Sequence, residues 1–354
     1  MTLPTTTRQY LYPQAKPDSF EALVVQEAAV SPPKANEVLV KTRAVSLQTI
    51  IAFIQFRDLM IAGGRYRGTF PPNLVPCSDM AGEVIAVGDD VTEWKVGDRV
   101  CASFLQDKMH NDSPTEQALG GAVHGVLTEY RTFPAQAIVA IPDHLSYEEA
   151  STLPCAALTA YNALLSGYAP LKAGDTVLVQ GTGGTSIFAL QFAVASGATV
   201  IATSSSDEKL KIATKLGAKH VINYKTTPNW GAEVLKLTNG VGVDHILEVG
   251  GNTTLSQSIA AVRQGGSITI IGLLGGVGDL PPPDIIVPCI SKQIIIRGVF
   301  VGSVVQFKNM NKLISANIQA TRPVIDKVFG FDEAKAAYAH LKSQAHVGKV
   351  VIKI

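Results

Sequence analysis

Between Asp175 and Ala195 the chain reads Asp-Thr-Val-Leu-Val-Gln-Gly-Thr-Gly-Gly-Thr-Ser-Ile-Phe-Ala-Leu-Gln-Phe-Ala-Val-Ala. The glycines break a β-branched apolar run, Thr176 to Val179, that reads as a buried parallel strand. Behind them, Ile187, Leu190, Ala193 and Val194 set the spacing of a helix. Gly181 and Gly183 permit a tight turn and close approach of a ligand to the backbone. The helix start adds N–H donors and a positive dipole end, the chemistry that holds a pyrophosphate. Gly181, Thr182, Gly183, Gly184, Thr185 and Ser186 are therefore the candidate phosphate clamp of a dinucleotide. Ser186 stands where G-x-G-x-x-G has its third glycine, and slightly looser packing of helix on strand is expected there.

Roughly 20 residues further on, where an NAD site presents Asp or Glu to the ribose, the strand candidate Thr199–Thr203 runs into Ser204-Ser205-Ser206-Asp207-Glu208-Lys209. Hydroxyls at Ser204 and Ser205 can donate to a 2′-phosphate that a carboxylate would repel, and Lys209 could reach it as a point charge. This favours NADPH over NADH. Two features pull the other way. Ser205 and Glu208 form a capping box whatever is bound, and Asp207 could turn toward the ribose. The cysteines (Cys77, Cys101, Cys155, Cys289) are scattered without a C-x-x-C pair, and the histidines show no ligand spacing. No metal site is expected from them.

These groups sit in a chain of 354 residues, enough for about two domains. Hydrophobic residues make up 46% and charged residues 17%, which excludes disorder and favours a compact enzyme-like globule. A net charge of +1 without a basic block leaves no footprint for nucleic-acid binding. No run of about 18 apolar residues exists to span a bilayer, and the start lacks the pattern of a secretory signal. Unpaired cysteines then point to reduced thiols and a cytoplasmic location.

The elements that must position the chemistry change character near Leu145. Before it come short strands with glycine and proline turns: Phe20–Val30, Glu37–Leu47, Asp79–Val91, Gly97–Ser103, Val126–Phe133 and Ile138–Ile141. That grammar predicts a partly open β-barrel. Ser146 and Glu149 form a capping box that opens a helix. From there to about 300, strands at Val177–Gln180, Thr199–Thr203, His220–Asn223, His245–Val249, Ser267–Ile271 and Gln293–Val299 alternate with helices. Such alternation predicts an α/β doubly wound parallel sheet. Beyond 300, Met310–Ala316 and Asp332–Leu341 read as helices and Lys349–Ile354 as a last strand that rejoins the first domain.

The order of signals resembles the medium-chain dehydrogenase/reductase superfamily over nearly the whole chain. The resemblance is carried by Val87-Gly88-Asp89-Asp90-Val91 through Lys95-Val96-Gly97-Asp98-Arg99-Val100, by Thr152-Leu153-Pro154-Cys155 to Thr159-Ala160-Tyr161, and by the glycine loop. Gly217-Ala218 before Ile222-Asn223-Tyr224, Glu248-Val249-Gly250-Gly251 and Gly348-Lys349-Val350-Val351 complete it. It implies a GroES-like partly open β-barrel catalytic domain at 1–145, completed by about 301–354, and a Rossmann dinucleotide-binding domain at 146–300. The sequence is most similar to the zinc-independent branch, with quinone oxidoreductases and enoyl reductases.

In zinc-dependent relatives the catalytic ligands lie at an early strand end, in a Gly-His-Glu stretch, and at a cysteine entering the cofactor domain. Here the first reads Ala44-Val45-Ser46-Leu47-Gln48, without cysteine. The second reads Pro76-Cys77-Ser78-Asp79, with Ser78 at the His position and Asp79 at the Glu position. Only Cys155 matches, so the resemblance implies no zinc. It also puts Ser204 at the acidic position of the ribose site and Tyr224 beside the adenosine phosphate. Thr159, Val249, Leu273, Val301 and Gly302 complete the cofactor site, with Thr159, Leu273 and the Val301 turn along the nicotinamide.

Without a metal, carbonyl reduction lacks its usual Lewis acid. Hydride addition to the β-carbon of an enone, with donors stabilising the enolate and a proton delivered to the α-carbon, is easier. The resemblance implies this class, quinones included. Its Asn-Tyr-x-Asp element maps onto Phe56 and Asp58, before Gly64-Arg65-Tyr66. A surplus of about seven residues, Thr49–Gln55, precedes it. This insertion is open to three readings: a helix extended over the pocket, a membrane or partner contact, or a reshaped site. Tyr66 is the candidate proton donor, Asp58 an orienting group for water or Arg57 or a helix cap, and Tyr130 and His124 are weaker candidates. The apolar edge strand 293–299 implies a homodimer. Two other functions stay open: an NADPH-binding member without turnover, and an alcohol or carbonyl dehydrogenase.

Overall fold

A computed structural model describes residues 3–13, 18–48, 57–66, 68–272 and 283–354. The expectations for Thr49–Gln55, Phe56 and Leu273 lie outside the described residues. In chain order the strands are β1 (Thr6–Leu11), β2 (Val24–Ala29), β3 (Glu37–Leu47), β4 (Asp79–Val87), β5 (Arg99–Ala102), β6 (Tyr130–Pro134) and β7 (Ile138–Ala140). Then follow β8 (Thr176–Gln180), β9 (Thr199–Ser204), β10 (His220–Asn223), β11 (Val243–Glu248), β12 (Val262–Ile270) and β13 (Ile295–Gly298), and finally β14 (Ile325–Gly330) and β15 (Lys349–Lys353).

The segment β8–β13 forms one parallel sheet in the order β10-β9-β8-β11-β12-β13. Its direction of winding reverses between β8 and β11, and a crevice opens outside the strand ends at such a switch point. Apolar runs explain why these strands sit centrally: Leu178 pairs with Ile201 on one side and Ile246 on the other, and all three are buried. All six strands expected from the sequence are present, with ends shifted by a few residues.

The barrel sheet runs β14-β15-β3-β4-β5-β7, with β6 also pairing to β3. Register decides what meets at its rim. Ser46 lies opposite Asp79, and Leu47 lies opposite Val350. The ends of β3, β4 and β15 therefore deliver Gln48, Asp79 and Lys349 to one place. Two strands escaped the sequence reading: β1, which pairs with β2 in a two-stranded ribbon and touches the barrel domain through a Gln9–Thr128 bridge, and β14.

The tail returns to the barrel later than expected. Helix Val304–Ala316 puts Phe307, Met310 and Ile314 into a core shared with Leu158, Phe188 and Phe192, whereas Phe329, Tyr338, Leu341 and Ile352 join the barrel core. Only from Ile325 does the chain enter the barrel sheet. Among the described residues no helix is long and apolar enough to cross a membrane.

Candidate functional site

The glycine loop makes a tight strand-to-helix turn. Gly181 has φ +77, and a Cβ there would meet nothing within 4 Å, so the turn needs glycine and leaves open space beside it. Gly183 caps helix Gly184–Ala195 with no side-chain hydrogen bond to the cap. The positive dipole end of that helix thus lies at the loop, with no side chain of the cap residue over it. Thr182, Thr185 and Ser186 are buried. The Ser186 hydroxyl donates to the Gln180 carbonyl at 2.7 Å, so the non-glycine residue stitches helix to strand, where looser packing was expected. Across the switch point, Glu248 is fully buried and accepts from Gln180 Nε2 at 2.9 Å, Gly250 N at 2.8 Å and Gly251 N at 3.0 Å. Val249 N donates to Gln180 Oε1 at 3.1 Å, which fixes the backbone along the crevice.

At the ribose end, Ser204 closes β9 and Tyr224 N donates to its carbonyl at 3.0 Å, so these two expected residues are neighbours. Three expectations change. The residue that caps the next helix is Ser206, which accepts from Lys209 N, and not Ser205. The Asp207 carboxylate accepts from Asn223 Nδ2 at 2.7 Å. The Lys209 ammonium donates to the carbonyls of Gln344 at 2.6 Å and His346 at 3.0 Å. It therefore ties the parallel-sheet domain to the C-terminal segment, while the Ser204 hydroxyl accepts the Ser206 N–H at 3.4 Å.

The barrel rim is a knot of buried polar groups. Gln48, Arg57, Asp58, Ser78, Asp79, Cys155 and Lys349 are each no more than 1% exposed. Asp79 accepts from Ser78 Oγ at 2.8 Å, from the Cys155 backbone N–H at 3.1 Å and from Gln48 Nε2. Burial pushes its carboxyl up to about 7, opposed by the Lys349 ammonium. Lys349 Nζ donates to the Leu47 carbonyl at 2.6 Å, and burial depresses its pKa. Burial raises the Cys155 thiol well above its usual value. The Cys77 thiol lies 3.4 Å from the Tyr338 hydroxyl, in the barrel core.

Asp58 was expected to orient water or Arg57, or to cap a helix. Its carboxylate accepts the Gln48 backbone N–H at 2.8 Å, which links the two flanks of 49–56, and the Arg57 charge acts on it from beside. Arg57 beside it went unassigned in the sequence. Its Nη2 donates to the Leu119 carbonyl at 2.8 Å, while Nε and Nη1 have no partner among the described residues. The guanidinium carbon stands 4.7 Å from the Phe104 ring centre and 5.4 Å from that of Tyr66, an aromatic bracket for a cation. Tyr66 is half-buried at this rim, but Tyr130 faces Lys41 at 5.9 Å, and His124 accepts from Val75 N at 3.3 Å.

The 348–349 segment is one place where the two halves meet. Gly348 N donates to the Thr182 carbonyl at 3.1 Å, and the next residue is Lys349 of the rim knot. Thr159 is buried one turn beyond Cys155. Val301 has φ 54, a left-handed conformation that costs a β-branched residue dearly, and Asn162 Nδ2 holds its carbonyl at 2.7 Å. Gly302 is packed against the Leu158 side chain, 2.8 Å from where its Cβ would be. Lys349 gave one faint signal in the sequence, a charge opening an apolar strand. Arg57 gave none.

A parallel nucleotide crevice facing the polar rim of a barrel defines a two-domain oxidoreductase. Residues 34–143 match the alcohol dehydrogenase GroES-like domain and 184–316 the zinc-binding dehydrogenase family. A zinc-type alcohol dehydrogenase-like protein of Schizosaccharomyces pombe is 47% identical, over 97% of this chain and 96% of that one. Human quinone oxidoreductase is 26% identical over 92% of each. A crystal structure from Sinorhizobium meliloti 1021, described as a candidate alcohol dehydrogenase, superposes with a TM-score of 0.88 at 38% identity over 100% of both chains. The chain belongs to the medium-chain dehydrogenase/reductase superfamily.

Proposed function

We propose that the protein is an NADPH-dependent reductase of α,β-unsaturated carbonyls or quinones that works without zinc. The observation that carries this reading is the rim knot. At the positions that hold zinc in metal-dependent relatives stand the Gln48 amide, the Ser78 hydroxyl and the Cys155 thiol, with Asp79 spent on hydrogen bonds and Lys349 beside it. Zinc needs thiolate, imidazole or carboxylate donors around an open position. One thiol held protonated, next to a buried ammonium, does not fit it. Among the described residues no three His, Cys, Asp or Glu side chains cluster to hold a metal.

NADPH fits the crevice: Gly181–Ser186 would take the pyrophosphate, Ser204, Ser205 and Tyr224 the adenosine phosphate, and Thr159, Val249, Val301 and Gly302 the nicotinamide side. Bound there, it supplies the hydride. The chain must then stabilise the negative charge that develops on the substrate oxygen, and Nε and Nη1 of Arg57 are donors at the rim without a partner among the described residues. The Tyr66 hydroxyl, beside Arg57, is the proton donor in this reading, and Asp58 is a positioning residue that holds Gln48. The human quinone oxidoreductase likeness supports the substrate class. Two copies would join through β13, the last strand of its sheet, beside the exposed Ile286, Val287 and Ile290.

The test is NADPH absorbance loss with a panel of quinones and enones, before and after treatment with a chelator. Turnover that survives chelation is expected. Loss on chelation with recovery on zinc, or oxidation of simple alcohols as the sole activity, would overturn the reading.

A further inference from the structure

A cleft of about 600 Å³ opens next to the Val301 turn, between the 108–112 loop, the end of helix Leu158–Leu165 and the end of β13. Its chemistry is set by Lys108, Asn111, Asp112, Asn162, Arg297 and Gln306, with Phe300 as an apolar wall. Gln306 is the decisive group. It is only 3% exposed, and its Oε1 accepts the Ser303 backbone N–H at 2.8 Å in a capping box. That bond fixes the amide, and its Nε2 has no acceptor among the described residues. A buried donor left unpaired is a cost the fold carries unless something in the cleft accepts it.

Two cations stand with it. Arg297 donates from Nη1 to the Asn162 carbonyl at 3.1 Å and from Nη2 to Asn162 Oδ1 at 2.5 Å. The Lys108 ammonium has no ion pair among the described residues, and the acid of the wall, Asp112, is exposed. A cationic ligand would meet both positive charges, and an apolar one would leave Gln306 unpaired. An anion with several acceptor oxygens suits all three donors. Asn162 also holds the Val301 carbonyl, so a group bound at Arg297 is one side chain away from the strained turn.

We propose that this cleft binds a carboxylate or phosphate group, with Gln306 Nε2, Lys108 and Arg297 as its donors. The group belongs either to the far end of the substrate or to a separate small anion, and the experiment separates these sources. Only the substrate source rests on the reductase reading above.

The NADPH-loaded protein is titrated calorimetrically with glutarate and with inorganic phosphate. Gln306→Glu keeps the capping box, since Glu serves there as Gln does, but turns the donor toward the cleft into a negative oxygen. Its affinity for the anion should fall at least about tenfold, and that of Lys108→Glu, a half-buried loop position, by a similar factor. The thermal midpoint should stay that of the wild type. In a second arm, KM is compared for an enone with a terminal carboxylate and for its methyl ester. A rise for the acid alone in Gln306→Glu assigns the anion to the substrate. Glutarate binding without competition against either enone assigns it to a separate anion. Absence of turnover with every enone would sink the reductase reading but leave the calorimetric arm standing. No heat from either anion, or equal affinity in wild type and both variants, overturns the proposal.

Discussion

At Gly181–Gly184 the backbone itself is the feature: one contiguous loop turns a strand into a helix start, with open space beside Gly181 and no capping side chain at Gly183. At the barrel rim the groups are side chains, and Gln48, Arg57, Asp79, Cys155 and Lys349 arrive from widely separated parts of the chain. The first region depends on what is missing, a Cβ at Gly181 and a capping side chain at Gly183. The second depends on what is compensated, since each buried charge stays tolerable only while its neighbours remain. A local loop tolerates loss of one group as a change in affinity. A knot of buried charges passes the same loss into stability.

The largest test of that contrast is Lys349→Met, which leaves Asp79 and Asp58 buried without the ammonium. At pH 8 the folded state should lose about 3–5 kcal/mol in urea unfolding. A loss under about 1 kcal/mol, typical of an exposed pair, would erase the contrast.

The pH dependence of stability sharpens it further. Burial holds the Asp79 carboxyl at about 7, above the roughly 3.9 of an unfolded chain. Between those values the folded protein binds the extra proton, so this contribution is full below about pH 4 and is lost as pH rises through 7. The fall is on the order of 2–4 kcal/mol across the window. Asp79→Asn, which cannot ionise, should flatten the slope in melts between pH 5 and 8. An unchanged slope would place the titration elsewhere.

For the loop, Gly181→Val should cost roughly 100-fold in NADPH affinity, because a side chain fills the open space at a left-handed position. Its binding loss, read by fluorescence titration, should exceed its effect on the melting midpoint. The smallest effect is expected at Ser204→Asp, where a carboxylate faces the ribose and NADPH affinity drops about tenfold relative to NADH. Equal affinities for the two cofactors in wild type and variant would remove Ser204 from the site.

The cofactor half was legible because its signals are local: β-branched strand, glycine turn, helix start and serine-ended strand follow one another within about 30 residues, the length of one βαβ unit. Where that reading slipped, a distant partner was the cause. Lys209 read as a phosphate ligand until the carbonyls of Gln344 and His346 claimed it, and Asp207 was claimed by Asn223. Ser186 read as a packing defect, yet its hydroxyl found the Gln180 carbonyl one turn away.

Sequence alone determined the family and the order of barrel and parallel sheet, since strand and helix periods and turn glycines are short-range properties of the chain. Tertiary structure alone decided the rim. The antiparallel register of β3 with β4 and β15 sets Gln48, Asp79 and Lys349 side by side, from positions 31 and 301 residues apart along the chain. Their protonation states follow from burial, which no single residue carries in its own name. The same holds for Arg57, an ordinary arginine in the sequence, which the fold encloses between two aromatic rings with two of its nitrogens unpartnered among the described residues.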